Sequence, residues 1–389
     1  MSKAFLSGNE AFAEGVRLAK PHVISAYPIT PQTIVVERLS EMVEDKSLKS
    51  EFIHVESEHS ALSCAMGASA IGARAFTATS SQGLLYMAEC LQYASGGRFP
   101  IVMMNANRST ALPWNIYGDQ RDSISQLDCG WIQVYVEDAQ ESLDMAIQSF
   151  FIAEHEKVST PVMVNLDGFV LTHTYEAVEI PSQEQADKFL PPFKTGNRMD
   201  FDNPKNMAFS AGPDSNMEFK LQQHKAMLDS KSVIELADKS FAEIFGRSYG
   251  GLIDTYKTDD AEYILITLGS ITGLVREVVD ELRAEGRKVG LVKLRYLRPF
   301  PDKELAEAVK NAKAVGTLEK DISFGYEGTV YTNVNSALIK NGIAIPSYNF
   351  IAGLGGRDIS KKDIIHMFEH IEKGGEYVNF IGLGVNADE

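Results

Sequence analysis

The sequence predicts an α/β fold that contains a doubly wound parallel sheet and a second, smaller α/β domain. Short apolar runs alternate with helical patterns over residues 1–180 and again over residues 261–389. Such alternation across short connections is typical of parallel strands covered by helices on both faces. Residues 181–260 interrupt the pattern, and their first part is rich in Pro, Asn, Asp and Gly, which predicts a linker or arm followed by one helix. The length of 389 residues fits two or three domains.

Composition and charge exclude several classes of protein. The chain has 37 Lys and Arg against 53 Asp and Glu, and this net charge of −16 argues against a nucleic-acid-binding protein. The sequence has no apolar run of about 18 residues, and its first segment, MSKAFLSGNEAFAEGVR, lacks the apolar core of a signal peptide. We therefore expect a cytoplasmic enzyme or subunit without a membrane span. The three cysteines form no C-x-x-C motif, which excludes a disulfide scaffold, a zinc ribbon and an iron–sulfur cluster ligated by this chain alone.

Hydrophobic periodicity locates the elements of each domain. In the first domain it predicts strands at 22–26, 52–55, 75–79, 101–105, 132–136 and 162–166, and helices at 8–20, 32–44, 57–73, 84–95 and 140–155. The arm covers 180–212, a helix is predicted at 221–245, and 249–261 is turn-like. The second domain is predicted to contain strands at 263–268 and 288–294 and a helix at 272–284. Further segments at 314–318, 330–339, 347–351 and 360–371 complete this α/β unit.

Ligands of parallel sheets bind beyond the carboxyl ends of the strands, so the segments that follow strands hold the candidate site residues. Thr30 and Pro31 follow the first strand. Because proline suits the first helical position and restricts the residue before it, Thr30 is predicted to be the N-cap of a helix that begins at Pro31. The free N–H groups there could hold a carboxylate, but the residues alone favour a simple cap.

Two carboxylates and an imidazole, those of Glu56, Glu58 and His59, follow the second strand at the start of a helix. A glutamate in this position could simply complement the helix dipole. The helix, however, is rich in Ala, Ser and Gly and must pack closely against a neighbour, so we expect its first turn to be shielded from solvent. A shielded carboxylate in a cleft is a better candidate for a functional residue than a surface carboxylate.

Polar residues also follow the third and fourth strands. The hydroxyl groups between Thr77 and Gly83 could hold a ligand or cap the next helix. Arg108 follows the fourth strand, where a guanidinium suits a carboxylate, although a lone arginine is more often a surface charge. No G-x-G-x-x-G motif follows the first strand, which weakens the case for a nucleotide-binding Rossmann fold, and the glycine cluster at 353–356 is predicted to be a tight turn.

Taken together, these segments resemble the α subunit of 2-oxoacid:ferredoxin oxidoreductases, most closely the pyruvate type (pyruvate synthase). The segments that carry the resemblance are YPITP at 27–31, VESEHSA at 55–61, FTATSSQGL at 76–84, RFPIV at 98–102, RPFP at 298–301 and GLGGRD at 353–358. They occur in the order typical of the family and extend over nearly the whole chain.

The resemblance implies a thiamine-diphosphate enzyme made of several subunits. It assigns 1–180 to a pyrimidine-binding domain and 261–389 to a domain similar to the transketolase C-terminal domain. The diphosphate and its magnesium are held by a β subunit, and the iron–sulfur clusters lie in partner subunits, including γ and δ types, in a dimer of heteromers. Ferredoxin or a similar acceptor takes the electrons, and coenzyme A takes the acyl group. The sequence agrees, since Asp167-Gly168 lacks the preceding glycine of the usual diphosphate and magnesium motif.

The same resemblance assigns roles to individual residues, of which three are the predicted catalytic residues. Glu58 matches the glutamate that hydrogen-bonds the pyrimidine ring and so promotes removal of the thiazolium proton. Thr30 matches the residue that hydrogen-bonds the substrate near its carbonyl, and Arg108 matches the arginine that holds the substrate carboxylate. The cofactor-binding set consists of Glu58 together with Tyr27, Pro28 and Ser81. No metal ligand is predicted in this chain.

Residues 109–120 depart from the family pattern, because Trp114 and Tyr117 are unusually aromatic for a site that takes pyruvate. They could line a pocket for a larger or aromatic 2-oxoacid, or pack at a subunit interface. Pyruvate is therefore the first expectation, and a larger or aromatic 2-oxoacid is the alternative. A non-catalytic interaction subunit built on the same α/β frame is the alternative from another functional class.

Overall fold

Strand–helix alternation builds two open sheets in the computed structural model of the protein, which describes residues 2–204, 206–207 and 210–384. Residues 205, 208 and 209 of the predicted arm and residues 385–389 of the predicted third segment lie outside the described residues. The strands are β1 (Ser2–Ser7), β2 (Val23–Ala26), β3 (Glu51–His54), β4 (Ala75–Thr79), β5 (Val102–Asn107), β6 (Ile132–Tyr135), β7 (Val162–Asp167), β8 (Tyr175–Ile180), β9 (Ile253–Tyr256), β10 (Tyr263–Thr267), β11 (Val289–Leu294), β12 (Tyr296–Arg298), β13 (Ala314–Glu319), β14 (Ser347–Ile351) and β15 (Val378–Phe380).

The helices cover both faces of each sheet. They are α1 (Gly8–Ala19), α2 (Thr33–Glu44), α3 (Glu58–Ala70), α4 (Ser81–Tyr86), α5 (Ala88–Gly96), α6 (Arg121–Ile124), α7 (Ala139–Glu154), α8 (Gln183–Phe189), α9 (Pro213–Phe245), α10 (Ile271–Ala284), α11 (Asp302–Val309), α12 (Thr329–Lys340) and α13 (Lys361–Lys373). No helix among the described residues is long and apolar enough to cross a membrane.

The larger sheet has seven strands in the order β12-β6-β7-β5-β4-β2-β3, and all neighbours except β12 and β6 are parallel. Strands β5 and β7 are buried along their whole length, as expected for central parallel strands. Helices α1, α2 and α7 pack on one face around Phe12, Phe76 and Phe150. Helices α3 and α5 pack on the other face around Leu62, Leu91 and other apolar side chains. The predicted doubly wound sheet is confirmed.

The smaller sheet has six strands in the order β15-β14-β13-β10-β11-β9, and only the β11–β9 pair is antiparallel. Helices α11 and α12 cover one face through Leu305, Val309 and Val334. Helices α10 and α13 cover the other face. A second, smaller α/β unit is therefore present, as predicted.

Several element boundaries differ from the sequence predictions. The helix predicted at 221–245 begins at Pro213, because Gly212 and Pro213 start it and its first half is mostly exposed, so no apolar periodicity marks it. The helix predicted at 84–95 is two helices, α4 and α5, that meet at the buried Met87, where no Gly or Pro signals a break. The turn-like stretch 249–261 contains β9, which pairs with β11.

A buried carboxylate joins the two sheets. Asp167 ends β7 of the larger sheet, and its side chain accepts hydrogen bonds from the Ser270 backbone N–H at 2.9 Å and from the Gln120 side chain at 3.0 Å. Lys320, which follows β13 of the smaller sheet, lies 3.1 Å from the same carboxylate. Burial raises the pKa of Asp167, but the charge of Lys320 and the bonds from Ser270 outweigh it and hold this pKa below its ordinary value.

Asp167→Asn is expected to lower the free energy of unfolding by about 3–5 kcal/mol, because it leaves the buried Lys320 ammonium without its counter-charge. Urea denaturation at pH 7 measures this change. Since the folded-state pKa of Asp167 lies below its ordinary value of 3.8, the wild-type advantage should persist above that pH and vanish as the pH falls through the folded-state pKa.

The matched control is Glu307→Gln, which removes one member of an exposed ion pair with Lys310. Exposed pairs contribute about 0–1 kcal/mol, so this variant should unfold close to wild type. Equal urea midpoints for the two variants would contradict the assignment of Asp167 as a buried junction between the sheets.

Candidate active site

The carboxyl ends of β2, β3, β4 and β5 lie at one edge of the larger sheet, and the predicted site residues follow them. Arg108, directly after β5, donates from Nη1 to the Thr30 carbonyl oxygen at 2.7 Å. Its Nη2 donates to Gln82 Oε1 at 3.0 Å. The structure therefore brings the segments after β2, β4 and β5 together through one guanidinium.

Glu58 is the first residue of α3 and is only 9% exposed. Ser57 caps the helix by accepting the Ser60 backbone N–H at 3.2 Å, which fixes the first turn that carries Glu58. Within the described residues, the Glu58 carboxylate has neither a hydrogen-bond donor nor an ion pair. The expectation that this turn is shielded from solvent is confirmed for the Glu58 side chain, whereas His59 and Ser60 are only partly buried. The Glu58 carboxylate therefore retains its capacity to accept hydrogen bonds.

Gly83 faces the Glu58 side chain. A Cβ at position 83 would lie 2.7 Å from Glu58 Oε1 and 2.6 Å from Thr79 Oγ1, closer than non-bonded atoms approach. The Thr79 hydroxyl is itself buried without a hydrogen-bond partner among the described residues. Glycine is therefore required here by the close approach of α4 to the Glu58 carboxylate.

Arg108 is buried, and its environment balances its charge. Burial lowers the pKa of Arg108, whereas the negative charges of Asp122 and Glu58 raise it. Its Nε is buried without a partner among the described residues. Arg108 and Glu58 thus interact electrostatically across the same edge of the sheet, which is the arrangement that their positions after strands predicted.

The prediction that Thr30 caps a helix beginning at Pro31 is wrong. Helix α2 begins at Thr33 with Gln32 at its N-cap position, and the Gln32 backbone N–H closes a turn by donating to the Ile29 carbonyl at 2.8 Å. The buried Gln32 side chain donates to the Ala78 carbonyl of β4 at 2.7 Å. This tie to the neighbouring strand holds residues 29–32 in a turn, and Thr30 meets Arg108 through its carbonyl group.

The other three predicted cofactor-binding residues lie in different surroundings. Tyr27 and Pro28 are exposed directly after β2. Ser81 is fully buried in the left-handed region, with φ +49°, and its hydroxyl lies 2.6 Å from Gln82 Oε1 and 2.8 Å from the Ser109 carbonyl oxygen. The Ser81 hydroxyl is therefore engaged within the chain and supports the residue that holds Arg108.

Asp122 is a residue of this edge that the sequence analysis missed. It lies in the short helix α6 and accepts the backbone N–H groups of Ser81 and Arg108, each at 3.1 Å. Burial raises the pKa of Asp122 to about 6, against hydrogen bonds from Asn107, Arg108 and Ser123 that lower it. Asp122 does not directly follow a strand of the larger sheet. The sequence analysis selected candidates among the residues directly after strands and therefore missed it.

The loop at 109–120 borders the site and is held by the second α/β unit. Asn115 donates to the Gly355 carbonyl at 3.1 Å, and the Gly355 N–H donates to Asp119 at 3.0 Å. A Cβ on Gly356 would lie 2.3 Å from the Tyr117 Cβ. The tight turn predicted for the glycine cluster is confirmed, and its glycines permit close contact with this loop.

Trp114 and Tyr117, the two aromatic residues that depart from the family pattern, are both more than half exposed. Trp114 is 59% exposed and Tyr117 is 52% exposed. The Tyr117 ring packs against Phe169 with their centroids 5.1 Å apart. Among the described residues, no group of three or more His, Cys, Asp or Glu side chains is placed to hold a metal ion.

Comparisons with known proteins identify the family of this chain. A family model described as "Pyruvate flavodoxin/ferredoxin oxidoreductase, thiamine diP-bdg" matches residues 14–239, and one described as "Pyruvate:ferredoxin oxidoreductase core domain II" matches residues 261–364. Pyruvate synthase subunit PorA of Methanothermobacter thermautotrophicus is 48% identical over 97% of this chain and 97% of its own. Ketoisovalerate oxidoreductase subunit VorA of Pyrococcus horikoshii is 43% identical over 95% of this chain and 94% of its own.

Two solved structures share the fold. The 2-oxoglutarate:ferredoxin oxidoreductase from Magnetococcus marinus, with 2-oxoglutarate, coenzyme A and succinyl-CoA bound, matches with a TM-score of 0.74 at 21% identity, over 95% of this chain and 65% of that chain. A split-gene transketolase in an inactive β4 tetramer matches with a TM-score of 0.52 at 13% identity, over 93% of each chain. The resemblance predicted from the strand-end segments is confirmed: the chain belongs to the pyruvate:ferredoxin oxidoreductase family.

Proposed function

We propose that this chain is the α subunit of a thiamine-diphosphate-dependent 2-oxoacid:ferredoxin oxidoreductase that converts pyruvate and coenzyme A to acetyl-CoA and CO2. The observation that carries the proposal is the largely buried Glu58 side chain, whose carboxylate has no donor among the described residues, on the same edge as the buried Arg108. Residues 1–180 act as the pyrimidine-binding domain and residues 261–389 as the transketolase-C-terminal-like domain. Residues 181–260 connect them.

The residues at this edge fit an aminopyrimidine ring. A carboxylate without a donor from its own chain favours a ligand that brings an N–H group, because hydrogen bonds to ionised groups are stronger than those between neutral groups. Glu58 accepts that hydrogen bond and stabilises the ring in the protonation state that activates the cofactor. The chemistry that the bound cofactor supplies is electron withdrawal from the 2-oxo carbon, so that CO2 can leave. Gly83 leaves the space in which the Glu58 side chain is held.

Arg108 binds the carboxylate of the 2-oxoacid. A guanidinium offers parallel donors to a carboxylate, and the partly desolvated setting strengthens the attraction. The contacts of Nη1 with Thr30 and Nη2 with Gln82 fix the plane of the group and leave its Nε without a partner among the described residues. Thr30 lies beside the bound substrate, where its hydroxyl can donate to the 2-oxo group.

A partner β subunit holds the diphosphate and magnesium and covers the outer face of α3. On that face a Cβ at Gly67 would meet no atom of the described residues within 4 Å, although small residues normally line close helix contacts. Tyr86 and Tyr93, from α4 and α5, are 59% and 60% exposed. The Tyr86 ring packs against His59 of α3 with the ring centroids 6.0 Å apart. Exposed aromatic groups next to this helix favour a protein interface here. Electrons pass to iron–sulfur clusters in γ- and δ-type subunits and then to ferredoxin.

A larger 2-oxoacid is the second candidate substrate, supported by the exposed loop that borders the site. Leu112 and Trp114 are 85% and 59% exposed, and neither is covered by the second α/β unit. The ketoisovalerate oxidoreductase relative carries a name for a branched 2-oxoacid. Assay of the assembled complex with a panel of 2-oxoacids, coenzyme A and a low-potential dye tests both candidates. A non-catalytic interaction subunit would give no 2-oxoacid-dependent dye reduction with any member of the panel.

Glu58→Gln, assembled with the partner subunits, is expected to lower kcat on the order of a hundredfold or more, because the amide cannot stabilise the charge that develops on the ring. Complex formation and bound thiamine diphosphate should stay near wild type. The matched control is Glu56→Gln, which alters an exposed carboxylate two residues earlier in the chain. Turnover of Glu58→Gln equal to that of the control would rule out the assigned role.

Arg108→Lys is expected to raise the KM for pyruvate about tenfold or more, since a hydrogen bond to a charged group contributes about 1.5–3 kcal/mol, and to change kcat less. Steady-state kinetics of the assembled complex measure both constants. Arg98→Lys is the control, because Arg98 precedes the other end of the same strand and donates to the Ser159 carbonyl at 3.1 Å. An unchanged KM in Arg108→Lys would show that Arg108 does not bind the substrate.

The chain expressed alone is expected to be inactive with 2-oxoacids and free of stoichiometric iron. The three cysteines are unpaired, and two of them, Cys90 and Cys129, are buried. Metal analysis and a dye-reduction assay before and after addition of the partner subunits measure this. Stoichiometric iron, or turnover by the isolated chain, would contradict the division of the cofactors among subunits.

A further inference from the structure

Asp122 is a completely buried carboxylate that the proposed chemistry does not use. Its two oxygens accept five hydrogen bonds from the described residues, and each of these comes from an N–H group. The donors are the backbone N–H of Ser81 (3.1 Å), Arg108 (3.1 Å) and Ser123 (2.7 Å) and the side-chain amides of Asn105 (3.3 Å) and Asn107 (2.8 Å).

Four of the five donors come from the ends of two neighbouring strands, and the fifth, Ser123, lies in α6 itself. Ser81 begins α4 directly after β4, and Arg108 directly follows β5. Both backbone N–H groups reach the same atom, Asp122 Oδ2. A single oxygen on α6 therefore sets the distance between the turn after β4 and the turn after β5.

Two routes connect this carboxylate to the Arg108 guanidinium. The direct route is the hydrogen bond to the Arg108 backbone. The second route runs through Ser81, whose hydroxyl lies 2.6 Å from Gln82 Oε1, and through Gln82 Oε1, which accepts Arg108 Nη2 at 3.0 Å. Both routes lead to Arg108, whose guanidinium is proposed to bind the substrate carboxylate.

We propose that Asp122 is a positioning residue that holds Arg108 in the geometry required to bind the carboxylate of the 2-oxoacid. The proposal rests on the proposed function of Arg108. Asp122 contacts the Arg108 backbone, and under this proposal it acts on the substrate only through Arg108. It therefore affects substrate binding without touching the substrate.

The shell of donors explains why a carboxylate occupies this position. An ionised carboxylate accepts at both oxygens, whereas the NH2 of an asparagine would face N–H groups and leave them unpaired. The negative charge of Asp122 also stabilises the positive charge of Arg108. Asp122→Asn should therefore misplace Arg108 even where the overall fold persists.

The experiment is a double-mutant cycle in the assembled oxidoreductase, with pyruvate as the varied substrate. Asp122→Asn is expected to raise the KM for pyruvate about tenfold, with a smaller change in kcat. In the Arg108→Lys background the same substitution should raise KM by less than about twofold, since the residue that it positions has already been altered. The KM for coenzyme A should stay at the wild-type value.

Asp144→Asn is the matched control. Asp144 is a buried carboxylate of α7 that accepts hydrogen bonds from Arg247 at 2.6 Å and from Tyr249 at 2.7 Å. This variant should lower the unfolding temperature and leave the KM for pyruvate unchanged. The difference between the two variants separates positioning of Arg108 from a general loss of stability.

A normal KM in Asp122→Asn, or a KM increase that is equally large in the Arg108→Lys background, overturns the proposal. If Asp122→Asn does not assemble, Ser81→Ala tests the second route. A severalfold rise in KM supports the proposal, and an unchanged KM overturns it. Failure of the proposed function is seen separately, because wild-type complex would then show no pyruvate oxidation.

Discussion

The buried carboxylate of Asp167 constrains the relation between the two sheets on which the site depends. It ends a central strand of the larger sheet and meets Lys320 and Ser270 of the smaller unit. Because a buried charge is tolerated only with its partner, the ion pair favours one arrangement of the two units. That arrangement places Gly355 and Gly356 against the loop at 109–120, so the second α/β unit shapes the ligand edge of the first.

Some polar groups at this edge are hydrogen-bonded within the chain, and Glu58 is not. Asp122 accepts donors of its own chain with both oxygens, and Gln82 is shared between Ser81 and Arg108. Glu58 accepts none from the described residues, although it is nearly as buried as Arg108. Arg108 is therefore preorganised by its own chain, whereas Glu58 remains free to accept a hydrogen bond, which under the proposed function comes from the cofactor.

The sequence was sufficient for the fold class and for the residues that directly follow strands. Alternating patterns predicted the two sheets, and Glu58 and Arg108 met at one edge because parallel strands end together. Local signals were insufficient where tertiary contacts decide the backbone. The turn at Thr30 depends on a hydrogen bond from Gln32 to β4, and the first half of α9 is exposed and therefore lacks an apolar period. Asp122 does not directly follow a strand, and its proposed role depends on hydrogen bonds that only the three-dimensional structure reveals.

The position of Glu58 is consistent with the proposed division of the site between two subunits. Helix α3 packs its Ala61, Leu62 and Ala65 side against the sheet, while Gly67 on the outer side meets no atom of the described residues. An exposed glycine lowers helix stability by about 1 kcal/mol relative to alanine. A glycine at such a position is useful where another backbone must approach the helix closely. The same helix begins with the carboxylate that lacks a donor. Under the proposed function, a partner that covers the outer face would bury Glu58 further and strengthen its hydrogen bond to the cofactor, and assembly of the subunits would then be coupled to activation of the site.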